Sequence, residues 1–153
     1  MPSYALYRDK TNPNYEQLAS EFVTICASFD GVKSFIHQDA NLAHTLKADG
    51  VHLTSTQFEE IEHAKSLGLE VIISTHTHEE VLQAQKLGAD AVTYSPIFAS
   101  PNKGEPKGVE DLKELLNKCC VKVFALGGIV EQKQVQMVQE AGAYGFASIR
   151  YFY

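Results

Sequence analysis

The segment from Val71 to Lys103 contains a complete β-α-β pattern, and this pattern constrains the fold more than any other feature of the sequence. Val71-Ile72-Ile73-Ser74 is an apolar run without alternation, which is typical of a strand buried on both faces of a parallel sheet. Thr77 and Glu80 have the spacing of a capping box, so a helix is predicted to begin there. Ala91 to Tyr94 predicts the next strand. The expected fold class is therefore α/β with a parallel sheet.

The same alternation continues on both sides of this segment. Further strands are predicted at Tyr4–Tyr7, Val32–Ile36, Gly50–Leu53, Val121–Leu126 and Gly145–Ile149. Further helices are predicted from the Asn12-Pro13 cap to about Ser28, up to Leu46, from the Thr56 and Glu59 pair to Gly68, from Val109 to about Lys118, and from Glu131 to Ala141. Seven strands alternating with six helices fit either a doubly wound open sheet or a barrel with parts missing. No linker interrupts the pattern, so residues 1–153 are predicted to form a single domain.

Composition excludes several classes of partner and compartment. The chain has 153 residues, fewer than the roughly 250 of a complete eight-fold barrel. Its net charge of -6 and its scattered lysines argue against nucleic acid or an anionic membrane as a partner. No stretch approaches the roughly 20 apolar residues of a membrane span, and Met1-Pro2-Ser3-Tyr4 opens no signal peptide. Three cysteines without a disulfide framework or metal-ligand spacing favour the cytoplasm.

Polar and cationic residues collect where the predicted strands end. In either architecture ligands bind at the carboxyl ends of the strands. Several of these residues are hydrogen-bond donors or cations, which predicts an anionic ligand. They are Arg8, Lys10, His37, Ser74, His76, Ser100, Lys103, Gly127, Gly128 and Ser148.

An ordered set of short motifs extends over nearly the whole chain. It consists of Tyr7-Arg8-Asp9-Lys10, Ala48-Asp49-Gly50-Val51-His52-Leu53, Ser74-Thr75-His76-Thr77, Gly88-Ala89-Asp90, Pro96-Ile97-Phe98, Lys103 and Ala125-Leu126-Gly127-Gly128-Ile129. Through these motifs the chain resembles the thiamine phosphate synthase/TenI family, whose fold is a (β/α)8 barrel. The resemblance implies an incomplete TIM-type (β/α) barrel of about seven parallel strands, lacking the first β-α unit and the last helix. A second copy of the chain, in a homodimer, is expected to cover the side so exposed, with Tyr151-Phe152-Tyr153 fitting such a contact.

The resemblance also implies a phosphate site. Arg8 and Lys10 match the basic pair that handles a diphosphate in the family's synthase, and Lys103 matches a lysine of that site. Ser74 lies in a matching segment, and Ser100, also a predicted phosphate ligand, belongs to Ser100-Pro101-Asn102, which replaces a Thr-containing diphosphate loop of the synthase. Backbone amides at Gly127, Gly128, Ser148 and Ile149 match the cradle for a thiazole phosphate. The expected ligand is a phosphorylated thiazole or a thiamine-related phosphate.

Departures from the synthase pattern favour the TenI branch. His37-Gln38 replaces an Asn-Asp pair, and Gln57 replaces an aspartate, although magnesium prefers carboxylate oxygens. Leu6 replaces a glutamine that is expected to recognise the pyrimidine. The TenI branch includes metal-free thiazole tautomerases, whose acid/base histidine maps onto His76. No cofactor is therefore expected, and Mg²⁺ is needed only if synthase activity is retained.

Three other functions stay open at this point. The chain is alternatively a non-catalytic relative that binds a ligand or a partner protein, or a thiamine phosphate synthase with a divergent site. A further alternative is a metalloenzyme that uses His37, His52 and His76, although their spacing matches no short ligand motif.

Overall fold

The computed structural model describes residues 1–152, so the part of the predicted terminal contact that falls on Tyr153 lies outside the described residues. Seven strands and six α-helices alternate within this range, as predicted. The strands are β1 (Tyr4–Tyr7), β2 (Lys33–His37), β3 (Gly50–Leu53), β4 (Glu70–Thr75), β5 (Ala91–Tyr94), β6 (Lys122–Leu126) and β7 (Gly145–Ala147). The helices are α1 (Tyr15–Ala27), α2 (Ala40–Thr45), α3 (Ile61–Ser66), α4 (His78–Leu87), α5 (Gly108–Leu116) and α6 (Gln132–Ala141).

Strand order distinguishes between the two architectures that the sequence allowed. The order in the sheet is β1-β2-β3-β4-β5-β6-β7, so neighbours in the chain are neighbours in the sheet. A doubly wound sheet needs a point at which the strand order reverses. Sequential parallel strands joined by helices are the arrangement of TIM-type (β/α) folds. The TIM-type prediction is therefore confirmed.

The residues fall into two compact units, the first from Met1 to Ile72 and the second from Ile73 onward. The prediction of one domain therefore stays a prediction. In the first unit β1 and β2 are parallel, with Tyr4 opposite Lys33. Strands β2 and β3 are also parallel, and this register places His37 opposite His52. The core of this unit is formed by strand and helix residues with almost no exposed surface, which include Phe35, Ile36, Val51, Leu53 and Ile61.

In the second unit, β5 and β6 are parallel and so are β6 and β7. All four residues of β5 are buried, as a strand covered on both faces requires. Helix α4 begins at the predicted cap, because the Thr77 hydroxyl accepts a hydrogen bond from the Glu80 amide at 3.1 Å. Among residues 1–152, no helix has the length and apolar character needed to cross a membrane.

Two predicted helix starts were wrong. Helix α1 begins at Tyr15, because the Asn12 side chain accepts the Asn14 amide at 2.9 Å and forms a local turn before the helix. The Thr56 hydroxyl does not cap α3. It lies 3.0 Å from the Thr54 hydroxyl, and a 3-10 turn over Phe58–Glu60 leads into the helix instead.

The last strand is shorter than predicted, ending at Ala147 and not at Ile149. The Ser148 hydroxyl donates to the Ile129 carbonyl at 2.7 Å and accepts the Tyr151 amide at 3.2 Å. These bonds turn the chain into a 3-10 helix over Arg150–Phe152. A side chain that bonds nearby backbone competes with strand continuation, which the apolar pattern alone does not reveal.

Candidate functional site

In the second unit, His76 follows directly after β4 and has an exposed side chain. Its backbone amide donates to Glu80 Oε1 at 3.1 Å, which ties the residue to the first turn of α4. Its imidazole Nδ1 lies 3.3 Å from the Ser95 carbonyl oxygen and 3.4 Å from Ser95 Oγ. Ser95 is 4% exposed and follows β5, so a buried residue of the next strand orients the exposed imidazole.

The contact with the Ser95 carbonyl favours one tautomer of His76. A carbonyl oxygen only accepts hydrogen bonds, so a proton on Nδ1 satisfies the Ser95 carbonyl, whereas a lone pair on Nδ1 would face another lone pair at 3.3 Å. We therefore assign the neutral imidazole as the Nδ1–H form on the basis of this hydrogen bond. The remaining nitrogen, Nε2, then carries a lone pair and is a proton acceptor.

Backbone hydrogen bonds join the ends of β5 and β6. The Ile97 amide donates to the Leu126 carbonyl at 3.0 Å, and the Phe98 amide donates to the Gly127 carbonyl at 3.1 Å. The segment after β5 is thus held against Gly127-Gly128, the diglycine that follows β6. Within the second unit, the structure brings His76, Ser95 and the diglycine region onto neighbouring strand ends.

The diglycine is required by close packing as well as by backbone conformation. Gly127 has φ +106° and Gly128 has φ +69°, which favour glycine. A Cβ at Gly127 would lie 2.7 Å from Pro96 Cα, and one at Gly128 would lie 2.5 Å from the Ala99 carbonyl oxygen. The amides of Gly128 and Ile129 donate to no protein acceptor among residues 1–152. Two adjacent amides without a protein acceptor can both donate hydrogen bonds to a bound anion.

The other predicted residues of the second unit differ in their exposure and in the hydrogen bonds that they make. The Ser148 hydroxyl is occupied by the bonds described above, whereas Ile149 is 75% exposed. Ser74 lies near the end of β4 and is half-buried. Ser100 and Lys103 share a turn in which the Lys103 amide donates to the Ser100 carbonyl at 3.3 Å, and the Lys103 side chain is exposed.

In the first unit, Arg8 and Lys10 follow β1 with exposed side chains. Lys10 lines a cavity of about 730 Å³, which also touches the starts of α1, α2 and α3. Arg8 does not line this cavity. The prediction that both residues bind a diphosphate stays a prediction.

Two histidines pair beneath these cations. His37 Nδ1 lies 3.3 Å from His52 Nδ1, and the rings stack with centroids 5.5 Å apart. Burial, followed by the charges of Arg8 and Lys10, lowers the pKa of His37 to about 4. Burial, followed by the charges of His37 and Arg8, lowers the pKa of His52 to about 4. Both imidazoles are therefore neutral at pH 7.

The side chain of Gln57, which follows β3, is held by hydrogen bonds from both ends of its amide. Gln57 Oε1 accepts the Thr54 amide at 3.0 Å, and its Nε2 donates to the Gln38 carbonyl at 3.1 Å and to Glu60 Oε2 at 3.0 Å. The Gln57 amide is therefore used to hold the end of β3. Among residues 1–152, no group of three or more His, Cys, Asp or Glu side chains is placed to hold a metal.

Sequence reasoning missed Ser95 as the partner of His76 and missed the pairing of His37 with His52. Ser95 is the first residue after β5, and positions after strands were the signal by which the other rim residues were selected. The His37–His52 contact depends on the register of β2 and β3, which the sequence does not encode in a short motif.

Comparisons with known proteins agree with this fold. The family described as Thiamine monophosphate synthase matches residues 3–152. The chain is 34% identical over 148 residues to a thiamine-phosphate synthase of Synechococcus sp. (strain CC9311), covering 92% of this chain and 41% of that protein. It is 32% identical over 136 residues to the thiamine-phosphate synthase of Bacillus licheniformis, covering 86% of this chain and 60% of the relative. The chain thus spans about 40 to 60% of the length of these relatives.

A solved structure is also similar. The thiamine phosphate pyrophosphorylase from Pyrococcus furiosus superimposes with a TM-score of 0.83 at 26% sequence identity. The alignment covers 96% of this chain and 72% of that structure. The predicted TIM-type fold is therefore shared with a solved structure over nearly the whole of this chain.

Proposed function

The chain belongs to the thiamine monophosphate synthase family, and from this premise we propose that it binds a phosphorylated thiazole and isomerises it with His76 as the proton carrier. The observation that supports this proposal best is the hydrogen bond from His76 Nδ1 to the Ser95 carbonyl, at 3.3 Å. An exposed imidazole held in this way presents Nε2 as a base.

The proposed step is a proton transfer that leaves the composition of the substrate unchanged. His76 Nε2 takes a proton from one carbon of the conjugated thiazole carboxylate, and the resulting electron pair is delocalised over the ring and the carboxylate. The imidazolium then returns the proton at the other end of the conjugated system. The Ser95 carbonyl stabilises the imidazolium because it accepts its second N–H. The step requires only an acid/base group and an anchor for the phosphate.

For the anchor we propose the unpaired amides of Gly128 and Ile129. Amides suit this task because they offer fixed donors without a side chain that has to be ordered. Lys103 and Ser100 lie in the turn that follows β5 and are proposed to add a cation and a hydroxyl. Arg8 and Lys10 stay predicted phosphate ligands.

The test is turnover of the thiazole carboxylate phosphate tautomer by the wild-type chain, His76→Asn and His44→Asn. His44 is exposed on α2 and serves as the matched control. Loss of a positioned acid/base group typically costs about 10²–10⁴-fold in rate. We expect this loss for His76→Asn and a wild-type rate for His44→Asn. Equal rates for all three proteins would remove His76 from the reaction.

A second candidate is a ligand-binding relative without catalysis. The engagement of the Gln57 amide by Thr54, Gln38 and Glu60 favours it over a synthase, because the position of a metal-binding carboxylate serves structure instead. Saturable binding of thiazole phosphate without turnover would identify this case. Magnesium-dependent joining of a pyrimidine diphosphate to the thiazole phosphate would instead identify a divergent synthase.

A further inference from the structure

The cavity of the first unit differs in character from the phosphate site proposed above. It has a volume of about 730 Å³, which is within the range of small-molecule pockets. Its lining comes from the turn after β1, the end of β2 and the starts of three helices. The residues that matter for its chemistry are Asp9, Lys10, Tyr15, His37, Asp39, Glu59 and Glu60.

Carboxylates are the most numerous charged groups of this lining, which also includes Asn12, Gln38, Asn41 and His63. Four carboxylates, from Asp9, Asp39, Glu59 and Glu60, face one ammonium group, from Lys10. One oxygen of Asp39 accepts the Leu42 amide at 2.9 Å, and one oxygen of Glu60 accepts the Gln57 amide at 3.0 Å. Each of these two carboxylates retains a second oxygen for a ligand. The carboxylates outnumber the ammonium group, so the lining favours a cation.

His37 supplies an independent indication of a ligand. It lines the cavity, is only 6% exposed, and its Nε2 has no hydrogen-bond partner among residues 1–152. A buried polar nitrogen without a partner is destabilising, because it has lost its hydrogen bonds to water. Its Nδ1 faces His52 Nδ1, and when His37 donates across that contact its Nε2 holds a lone pair. The orphan atom is then an acceptor, like the carboxylates around it.

We propose that this cavity is a second binding site, for a small organic cation with a primary ammonium group that donates to His37 Nε2 and to the acidic lining. An ammonium group has three donors and no acceptor, which matches a lining rich in acceptors. A metal ion fits less well, because no set of three metal-binding side chains lies together in residues 1–152. Of the residues that line this cavity, Lys10 is the one that is also a predicted phosphate ligand.

The experiment uses the full chain, with 1,4-diaminobutane as the probe and 1,4-butanediol as the neutral probe of the same length, at constant ionic strength. Binding is followed by the ¹⁵N resonances of the histidine rings. We expect saturable shifts of the His37 Nε2 resonance with the diamine and none with the diol. Glu59→Gln, which removes an exposed lining carboxylate, should raise the dissociation constant about two- to fivefold. Glu62→Gln, an exposed carboxylate of α3 outside the cavity, should leave it unchanged.

Three results would overturn the proposal. The first is that the diamine produces no saturable shift at His37. The second is that Glu62→Gln weakens binding as much as Glu59→Gln does, because the diamine then binds to acidic surface in general. The third is that inorganic phosphate shifts the His37 resonance in place of the diamine, which would assign the cavity to an anion.

Discussion

Lowering the pH from 7 to 5 should destabilise this protein through the buried His37–His52 pair. Both imidazoles have a pKa of about 4 in the folded chain, against about 6.5 in an unfolded chain. Above pH 6.5 they are neutral in both states and contribute no pH dependence. As the pH falls from about 6.5 towards 4, the unfolded chain takes up protons that the folded chain excludes, so stability is lost in this window.

The size of the effect follows from these values. At pH 5 an imidazole with a pKa of about 4 when folded and about 6.5 when unfolded lowers the free energy of unfolding by about 2 kcal/mol. The pair therefore lowers it by up to about 4 kcal/mol, which is a large part of the roughly 5–15 kcal/mol that stabilises a typical domain.

Urea unfolding at pH 7, 6 and 5 measures this effect. His37→Gln removes one buried imidazole and should reduce the pH dependence by roughly half. His44→Gln removes an exposed imidazole from α2 and is the matched control. The reasoning is refuted if the stability of the wild-type chain is the same at pH 7 and pH 5, or if His37→Gln changes the slope no more than His44→Gln does.

Three further predictions concern the second unit, with one control from the first. Gly127→Ala should lower the free energy of unfolding by at least about 1–3 kcal/mol, because its Cβ would lie 2.7 Å from a backbone carbon of the segment after β5. Gly31→Ala is the control, because Gly31 has φ +80° but open space around it, and it should lower the free energy of unfolding by less in the same urea titration. Tyr94→Phe should cost about 1–2 kcal/mol, since the Tyr94 hydroxyl donates to Asp111 Oδ2 at 2.6 Å, and a thermal unfolding curve that matches wild type would contradict this. Thr77→Ala should cost about 1 kcal/mol through the lost cap of α4, and amide exchange in the first turn of that helix should rise; unchanged exchange would count against it.

Local patterns in the sequence were sufficient for most of the fold. The unalternated run of β4 and the Thr77 cap are local signals, because they depend on burial and on hydrogen bonds between residues close in the chain. The Thr56 cap failed although its spacing to Glu59 was suitable. The Gln57 amide holds the neighbouring backbone there, and this competing local bond has no simple sequence signature.

The candidate site was only partly predictable. That His76 lies at a strand end followed from the order of the elements. Its hydrogen bond to Ser95 and the pairing of His37 with His52 could not be predicted, because each joins two strands whose relative register is fixed by packing of the whole sheet. His78 Nε2 on α4 lies 3.2 Å from Asp111 Oδ1 on α5, and this contact between two helices has no local sequence signature either.

The central claim is that His76 moves a proton on a phosphorylated thiazole, and deuterium incorporation tests it most directly. The thiazole carboxylate phosphate is incubated in D₂O with the wild-type chain or with His76→Asn, and the carbon-bound protons are followed by NMR. We predict exchange at the isomerising position with the wild-type chain and only the uncatalysed background with His76→Asn. Background exchange with the wild-type chain, or equal exchange with both proteins, would contradict the claim.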